Sequence, residues 1–132
     1  MSSTAAASTR PGLGVYAIWA LQVLLALAFF AAATAKLLGV PMMVQTFELI
    51  GFGQWLRYVT AAVEIIGGIG MLVPGLAGPA GLWLGVTMAC ATAAHLLVLP
   101  TPAGGAIVLM VLDLIVAWVR RSQIKALIAR FF

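Results

Sequence analysis

The sequence predicts an all-α fold: a four-transmembrane-helix up-down bundle, with a short interfacial helix between the first and second spans and a basic amphipathic C-terminal helix. The first observation behind this prediction is composition. Of the 132 residues, 64% are hydrophobic and 8% are charged, whereas soluble domains are about 45–50% apolar and about 25% charged. The other two are four long apolar stretches and the short Pro/Gly segments that separate the last three. The composition also excludes intrinsic disorder, which requires low hydrophobicity.

The four apolar stretches cover residues 15–38, 55–73, 77–99 and 103–119. A helix needs about 20 residues to cross a bilayer core of about 30 Å, so the first three are long enough alone. We expect the fourth to continue into the basic residues that follow it. Strands of a membrane barrel contain only about 9–11 residues, and open sheets leave unpaired backbone groups in lipid. The stretches therefore predict helices.

The connections predict how these helices are arranged. Pro/Gly turns follow the second and third stretches, and such short connections make neighbouring helices antiparallel. The first connection is longer and contains Pro41, a residue favoured in the first turn of a helix. Met43, Phe47 and Ile50 follow on one helical face. We therefore expect a short interfacial helix over residues 41–50.

The polar ends of the chain set the predicted domain boundaries. Residues 1–14 are small and mostly polar and predict a flexible tail. The transmembrane domain then covers residues 15–121, and an interfacial tail covers residues 122–132. A cleaved signal peptide is the alternative for the first apolar stretch, but that stretch exceeds the about 7–15 apolar residues of such peptides.

The C-terminal tail combines an apolar stripe with basic residues. Ile124, Leu127, Ile128 and Phe131 recur at helical spacing, and Arg121 and Lys125 lie elsewhere around the helix. Such a helix suits the surface of an anionic membrane leaflet, although docking to a partner protein is a second interpretation.

The basic residues predict the orientation in the membrane. The chain has 7 Lys and Arg against 3 Asp and Glu, a net charge of +4. With both termini inside, five of the seven fall on the inner side, which favours an N-in, C-in topology. These five are Arg10, Arg120, Arg121, Lys125 and Arg130. No basic patch is interleaved with aromatic residues, so nucleic acid is not an expected partner.

One residue from each span is singled out because lipid would penalise it, by about 2.5–3.5 kcal/mol for a charge at the bilayer centre. These residues are Lys36, Glu64, His95 and Asp113. They should face the bundle interior and one another. Residue counting places all four between the midplane and the outer face, where they can form one polar layer. Arg57 lies two turns before Glu64 on the same helical face.

This layer predicts a ligand site made of Lys36, Arg57, Glu64, His95 and Asp113. Carboxylates, an imidazole and a cation in a closed bundle can bind a polar headgroup, hold a quinone carbonyl or relay protons. They can equally form a network that only fixes helix register. No metal site is expected, because the spacing lacks a ligand motif and the cations oppose one. No catalytic residue is identified, and the single cysteine, Cys90, excludes a disulfide or CxxC pair within the chain.

Several of these residues together resemble the DoxX-like family of membrane proteins. They are Ala35-Lys36-Leu37-Leu38 with Pro41 after it, Trp55-Leu56-Arg57, Val63-Glu64, Gly67-Gly68-Ile69-Gly70 and His95. The resemblance covers residues 15–121 and implies a four-helix integral protein of the bacterial cytoplasmic membrane. Some DoxX-like proteins are linked to thiosulfate:quinone oxidoreductase and to membrane redox complexes that handle thiol stress.

The layer and the resemblance together suggest an accessory subunit in the lipid bilayer, rather than an enzyme on its own. It would bind a quinone or another lipophilic molecule in support of a membrane redox partner. One alternative is a scaffold or assembly factor with a purely structural polar core. Another is a small proton- or solute-translocating bundle, for which four helices are few unless the protein forms a homo-oligomer. Small residues at i+4 spacing on the third span predict close packing or a dimer face.

Overall fold

The computed structural model describes residues 12–132 and confirms an all-helical fold, since that range contains six helices and no strand. The helices are α1 (Leu13–Leu38), α2 (Pro41–Ile50), α3 (Trp55–Leu72), α4 (Ala77–Leu97), α5 (Gly104–Val119) and α6 (Arg121–Phe131). Three of them, α1, α3 and α4, are long and apolar enough to cross a membrane, which indicates an integral membrane protein. Helix α5 is apolar but has 16 residues, so the fourth span stays a prediction.

The helix boundaries follow local backbone chemistry. Residues 1–11 of the predicted tail lie outside the described range, and α1 begins two residues before the predicted start, at Leu13. Helix α1 ends because Gly39 adopts a left-handed conformation with φ of 67°, which glycine tolerates best. The helix predicted over residues 41–50 forms as α2, and Gly51 ends it with φ of 86°.

Four helices form a closed ring around an apolar core. Helix α1 packs against α3, α3 against α4, α4 against α5, and α5 against α1. The pairs α1–α3 and α4–α5 make the most extensive contacts. At Gly81 the helices α4 and α5 approach closely, since a Cβ there would lie 2.6 Å from the Asp113 carbonyl oxygen. Of the small residues predicted on α4, Gly81 and Gly85 therefore pack against α5, whereas Ala89 and Ala93 are exposed, and a homo-oligomer stays a prediction.

The two ends of the bundle differ. We call the end that carries α2 the α2 end, and the opposite end, where α5 passes into α6, the α6 end. Helix α6 is tied to α4, because the Gln123 side-chain oxygen accepts a hydrogen bond of 2.9 Å from the Gly78 backbone N–H. Ile124 and Leu127 are half-buried, whereas Phe131 is exposed.

Candidate functional site

A buried ion pair joins α1 to α3. Lys36 Nζ lies 2.8 Å from Glu64 Oε1, and the two side chains are 13% and 1% exposed. It is the one ion pair within 4.0 Å in the described part of the chain. The separation is that of an ion pair, and in residues 12–132 Oε1 has no hydrogen-bond partner. The Glu64 carboxylate therefore depends on the Lys36 ammonium for compensation of its charge.

Arg57 holds the backbone next to this pair. Its Nη1 donates to the Lys36 carbonyl oxygen at the C-terminus of α1, which also accepts a hydrogen bond from the Gly39 backbone N–H. Its Nε donates to Gln54 Oε1 at 2.9 Å, and its guanidinium lies over the Tyr58 ring at 4.5 Å. Arg57 is buried, and its contact with the Lys36 carbonyl oxygen holds the backbone of Lys36 in position.

His95 lies in the last turn of α4 and contacts the loop that leads to α5. Its Nδ1 is 2.8 Å from the Thr101 hydroxyl and 3.3 Å from the Thr101 carbonyl oxygen. Within residues 12–132, Nε2 has no hydrogen-bond partner. The loop therefore holds the imidazole through Nδ1, and Nε2 is left for a further partner.

Lys36 and His95 both line a cavity of about 520 Å³ at the α2 end, beneath α2. Ligand sites for small molecules measure about 300–1,000 Å³ and combine apolar walls with a few polar groups. Apolar side chains dominate these walls, among them Met42, Met43, Phe47, Ile50, Leu56 and Met88. The polar lining comes from Lys36, Thr46, Thr60, Thr87, Cys90, His95 and Thr101. The cavity thus combines apolar walls with a few polar groups.

Asp113 lies apart from this cavity. It is fully buried on α5, and neither carboxylate oxygen has a hydrogen-bond partner among the described residues. A Cβ at Gly85 would lie 3.8 Å from the Asp113 Cβ, and the adjacent Leu84 packs at Gly67, one turn beyond Glu64. Asp113 is therefore about one turn nearer the α6 end than Glu64.

The five predicted site residues thus divide into three places. The structure brings Lys36 and Glu64 together, and Arg57 contacts the Lys36 backbone. His95 lies ten residues along α4 from Gly85, the residue next to Asp113, which is about 15 Å at 1.5 Å per residue. Asp113 stands by itself. In residues 12–132, no three His, Cys, Asp or Glu side chains come close enough to hold a metal ion.

A second polar contact, between Gln22 and Arg120, was not part of the predicted site. Gln22 is fully buried on α1, and its Nε2 donates to the Met71 carbonyl oxygen at 2.8 Å. Arg120 Nε donates to Gln22 Oε1 at 3.1 Å, and its guanidinium lies 5.8 Å from the Trp19 ring centroid. In the sequence, this contact was indicated only by the polar amide of Gln22 within the first apolar stretch.

Comparison with known proteins identifies one relationship. Residues 20–120 match the sequence model of a family described as the DoxX-like family. This segment is more than half of the chain and includes all five predicted site residues, with Gln22 and Arg120. No curated protein and no solved structure matches the chain significantly.

Proposed function

The chain belongs to the DoxX-like family, and from this premise we propose that it binds a lipophilic small molecule, a quinone, at the α2 end in support of a membrane redox partner. The observation that carries the proposal is the cavity of about 520 Å³, where apolar walls meet the Lys36 ammonium and the His95 ring. A ligand for such a space has an apolar body and a polar carbonyl group.

The lining fits a quinone headgroup. The Lys36 ammonium can donate to one carbonyl oxygen, with Glu64 holding the ammonium in place from behind. In the arrangement in which the Thr101 hydroxyl donates to Nδ1, His95 carries its proton on Nε2 and can donate it to a second carbonyl oxygen. A bound quinone supplies an acceptor for two electrons and two protons. Arg57 acts as a positioning residue, through the backbone of Lys36.

The membrane arrangement is part of the proposal. Helix α5 forms the fourth span, since it lies between α4 and α1 in the ring and shares the apolar environment of both. The α6 end faces the cytoplasm of a bacterial cell, because this orientation puts five of the seven basic residues on the cytoplasmic side. The basic face of α6, which includes the exposed Lys125 and Arg130, then meets the anionic leaflet.

Cys90 provides a test, because it lines the cavity and is the single cysteine of the chain. The rate of Cys90 modification by a maleimide should be measured in nanodiscs with increasing short-chain ubiquinone or menaquinone analogues. We expect saturable protection of the thiol, weakened in Lys36→Met and unchanged in the surface control Lys125→Met. An identical rate at every quinone concentration contradicts the proposal.

A scaffold role is the second candidate, and the buried contacts of Arg57 favour it. These contacts join α1, the segment before α3 and α3 itself without any ligand. A scaffold predicts that Glu64→Gln lowers thermal stability while the wild-type protein shows no saturable protection of Cys90. Protection of the wild-type thiol therefore decides between the two candidates.

A further inference from the structure

The α6 half of the bundle contains buried polar atoms that the proposed ligand site does not use. Both carboxylate oxygens of Asp113 and the Nη2 nitrogen of Arg120 are buried without a hydrogen-bond partner in residues 12–132. Gln22, also buried, bonds to Arg120 and to the Met71 carbonyl oxygen. An unpaired buried polar group costs about 1–3 kcal/mol, and an unpaired charge costs more, so such atoms need an explanation.

No cation among the described residues lies within 4.0 Å of the Asp113 carboxylate, and Arg120, seven residues later, donates to Gln22 instead. The core cluster at its level, which includes Leu84 and Val116, is apolar. On α1, Lys36 is engaged with Glu64 of α3, and on α4, Cys90 and His95 lie beyond Gly85 toward the α2 end. The basic residues of α6 are exposed at the far end of the bundle: Arg121, Lys125 and Arg130. A carboxyl group in this setting is stable when it carries a proton, because the neutral form avoids an unpaired charge.

Toward the α6 end from Asp113, the buried polar groups are those of Gln22 and Arg120, which bond to each other. Asp113 lies on α5, and Arg120 directly follows the last residue of that helix, seven residues or about 10.5 Å further along the axis. The Arg120 side chain reaches α1, where its Nε donates to Gln22 Oε1 at 3.1 Å and its guanidinium lies 5.8 Å from the Trp19 ring centroid. Arg120 is half-buried, so it joins the buried Gln22 amide to the surface.

We propose that Asp113 is an internal proton-binding site that exchanges its proton with water at the α6 end along Gln22 and Arg120. In the exchange, a water proton adds to the carboxylate to form the carboxylic acid and later returns to water, so no other reactant takes part. The site is distinct from the α2-end cavity and does not rest on the proposed function.

Asp113 is the sole aspartate in the chain, which allows a test on the wild-type protein. Cell-free synthesis with aspartate carrying carbon-13 in its side-chain carboxyl labels this residue alone. Infrared spectra of the labelled and unlabelled protein in lipid nanodiscs at neutral pH should differ in the carbonyl stretch of a protonated carboxyl group. A label shift confined to the carboxylate bands overturns the proposal.

The route is tested by the rate at which this band shifts after transfer to D₂O. We expect Gln22→Met to slow the exchange about tenfold or more, the factor for a barrier raised by about 1.4 kcal/mol. Thr34→Val, which removes an exposed polar group of α1 outside the cavity, should leave the rate unchanged. Equal rates in wild type and Gln22→Met, or slowing in Thr34→Val alone, contradict the route. If Gln22→Met does not fold, Arg120→Gln takes its place with the same expectation.

Discussion

Gln22 accepts a hydrogen bond from Arg120, a residue 98 positions later in the chain, at 3.1 Å. The contact joins α1 to the residue that directly follows α5. The amide nitrogen Nε2 of Gln22 also donates to the Met71 carbonyl oxygen of α3. One buried side chain thus holds three helices at the α6 end. At the α2 end, Lys36 and Glu64 join α1 to α3. The bundle is therefore fixed by polar contacts at two levels, with an apolar core between them.

The Lys36–Glu64 pair should show strong energetic coupling. Glu64→Gln leaves the Lys36 ammonium in a largely buried position, and loss of one partner of a buried pair costs about 3–5 kcal/mol. Lys36→Met combined with Glu64→Gln should cost less than the sum of the single changes. A double-mutant cycle by unfolding in detergent measures this coupling, with the exposed Glu48→Gln as control. Strictly additive effects would show that the two side chains do not interact.

The close approach of α4 and α5 should make Gly81 intolerant of a side chain. A Cβ there would lie 2.6 Å from the Asp113 carbonyl oxygen and 2.8 Å from the Ala117 nitrogen, so the helices must separate. We expect Gly81→Ala to destabilise the protein by about 1–3 kcal/mol, as other overpacked sites do. Gly105→Ala is the matched control, because no atom lies within 4 Å of a Cβ there. Equal thermal stability of the two variants contradicts this packing.

Thr101 should influence ligand binding through His95. Thr101→Val removes the hydroxyl that lies 2.8 Å from His95 Nδ1, so the imidazole loses its orientation. The quinone concentration that half-protects Cys90 should rise about fivefold to tenfold, the effect of losing a hydrogen bond of about 1 kcal/mol. Thr87→Val, at a second threonine of the cavity wall, should have little effect, since the Thr87 hydroxyl bonds to its own helix. The same rise in both variants would remove the role of His95.

The proposed orientation predicts one-sided labelling. In a Cys90→Ser background, Lys125→Cys should react with a membrane-impermeant maleimide from the cytoplasmic side alone. Gln45→Cys, on the exposed face of α2, should react from the opposite side alone. Labelling of both positions from one side would place α2 and α6 on the same face of the membrane and exclude a fourth span.

The helical class and the positions of the helices could be predicted from the sequence, because hydropathy and Pro/Gly turns act over short distances, and the resemblance of single residues gave the family that the match over residues 20–120 shows. The sequence also identified Lys36 and Glu64 as inward-facing, since an unpaired charge in lipid is costly. The sequence predicted that four ionisable residues meet, and the folded structure shows that Lys36 and Glu64 do so, whereas His95 contacts Thr101 at the cavity and Asp113 stands apart. The folded structure also paired Gln22 with Arg120. Such pairings depend on the rotation and register of helices far apart in the chain, which side-chain packing sets and local sequence patterns leave open.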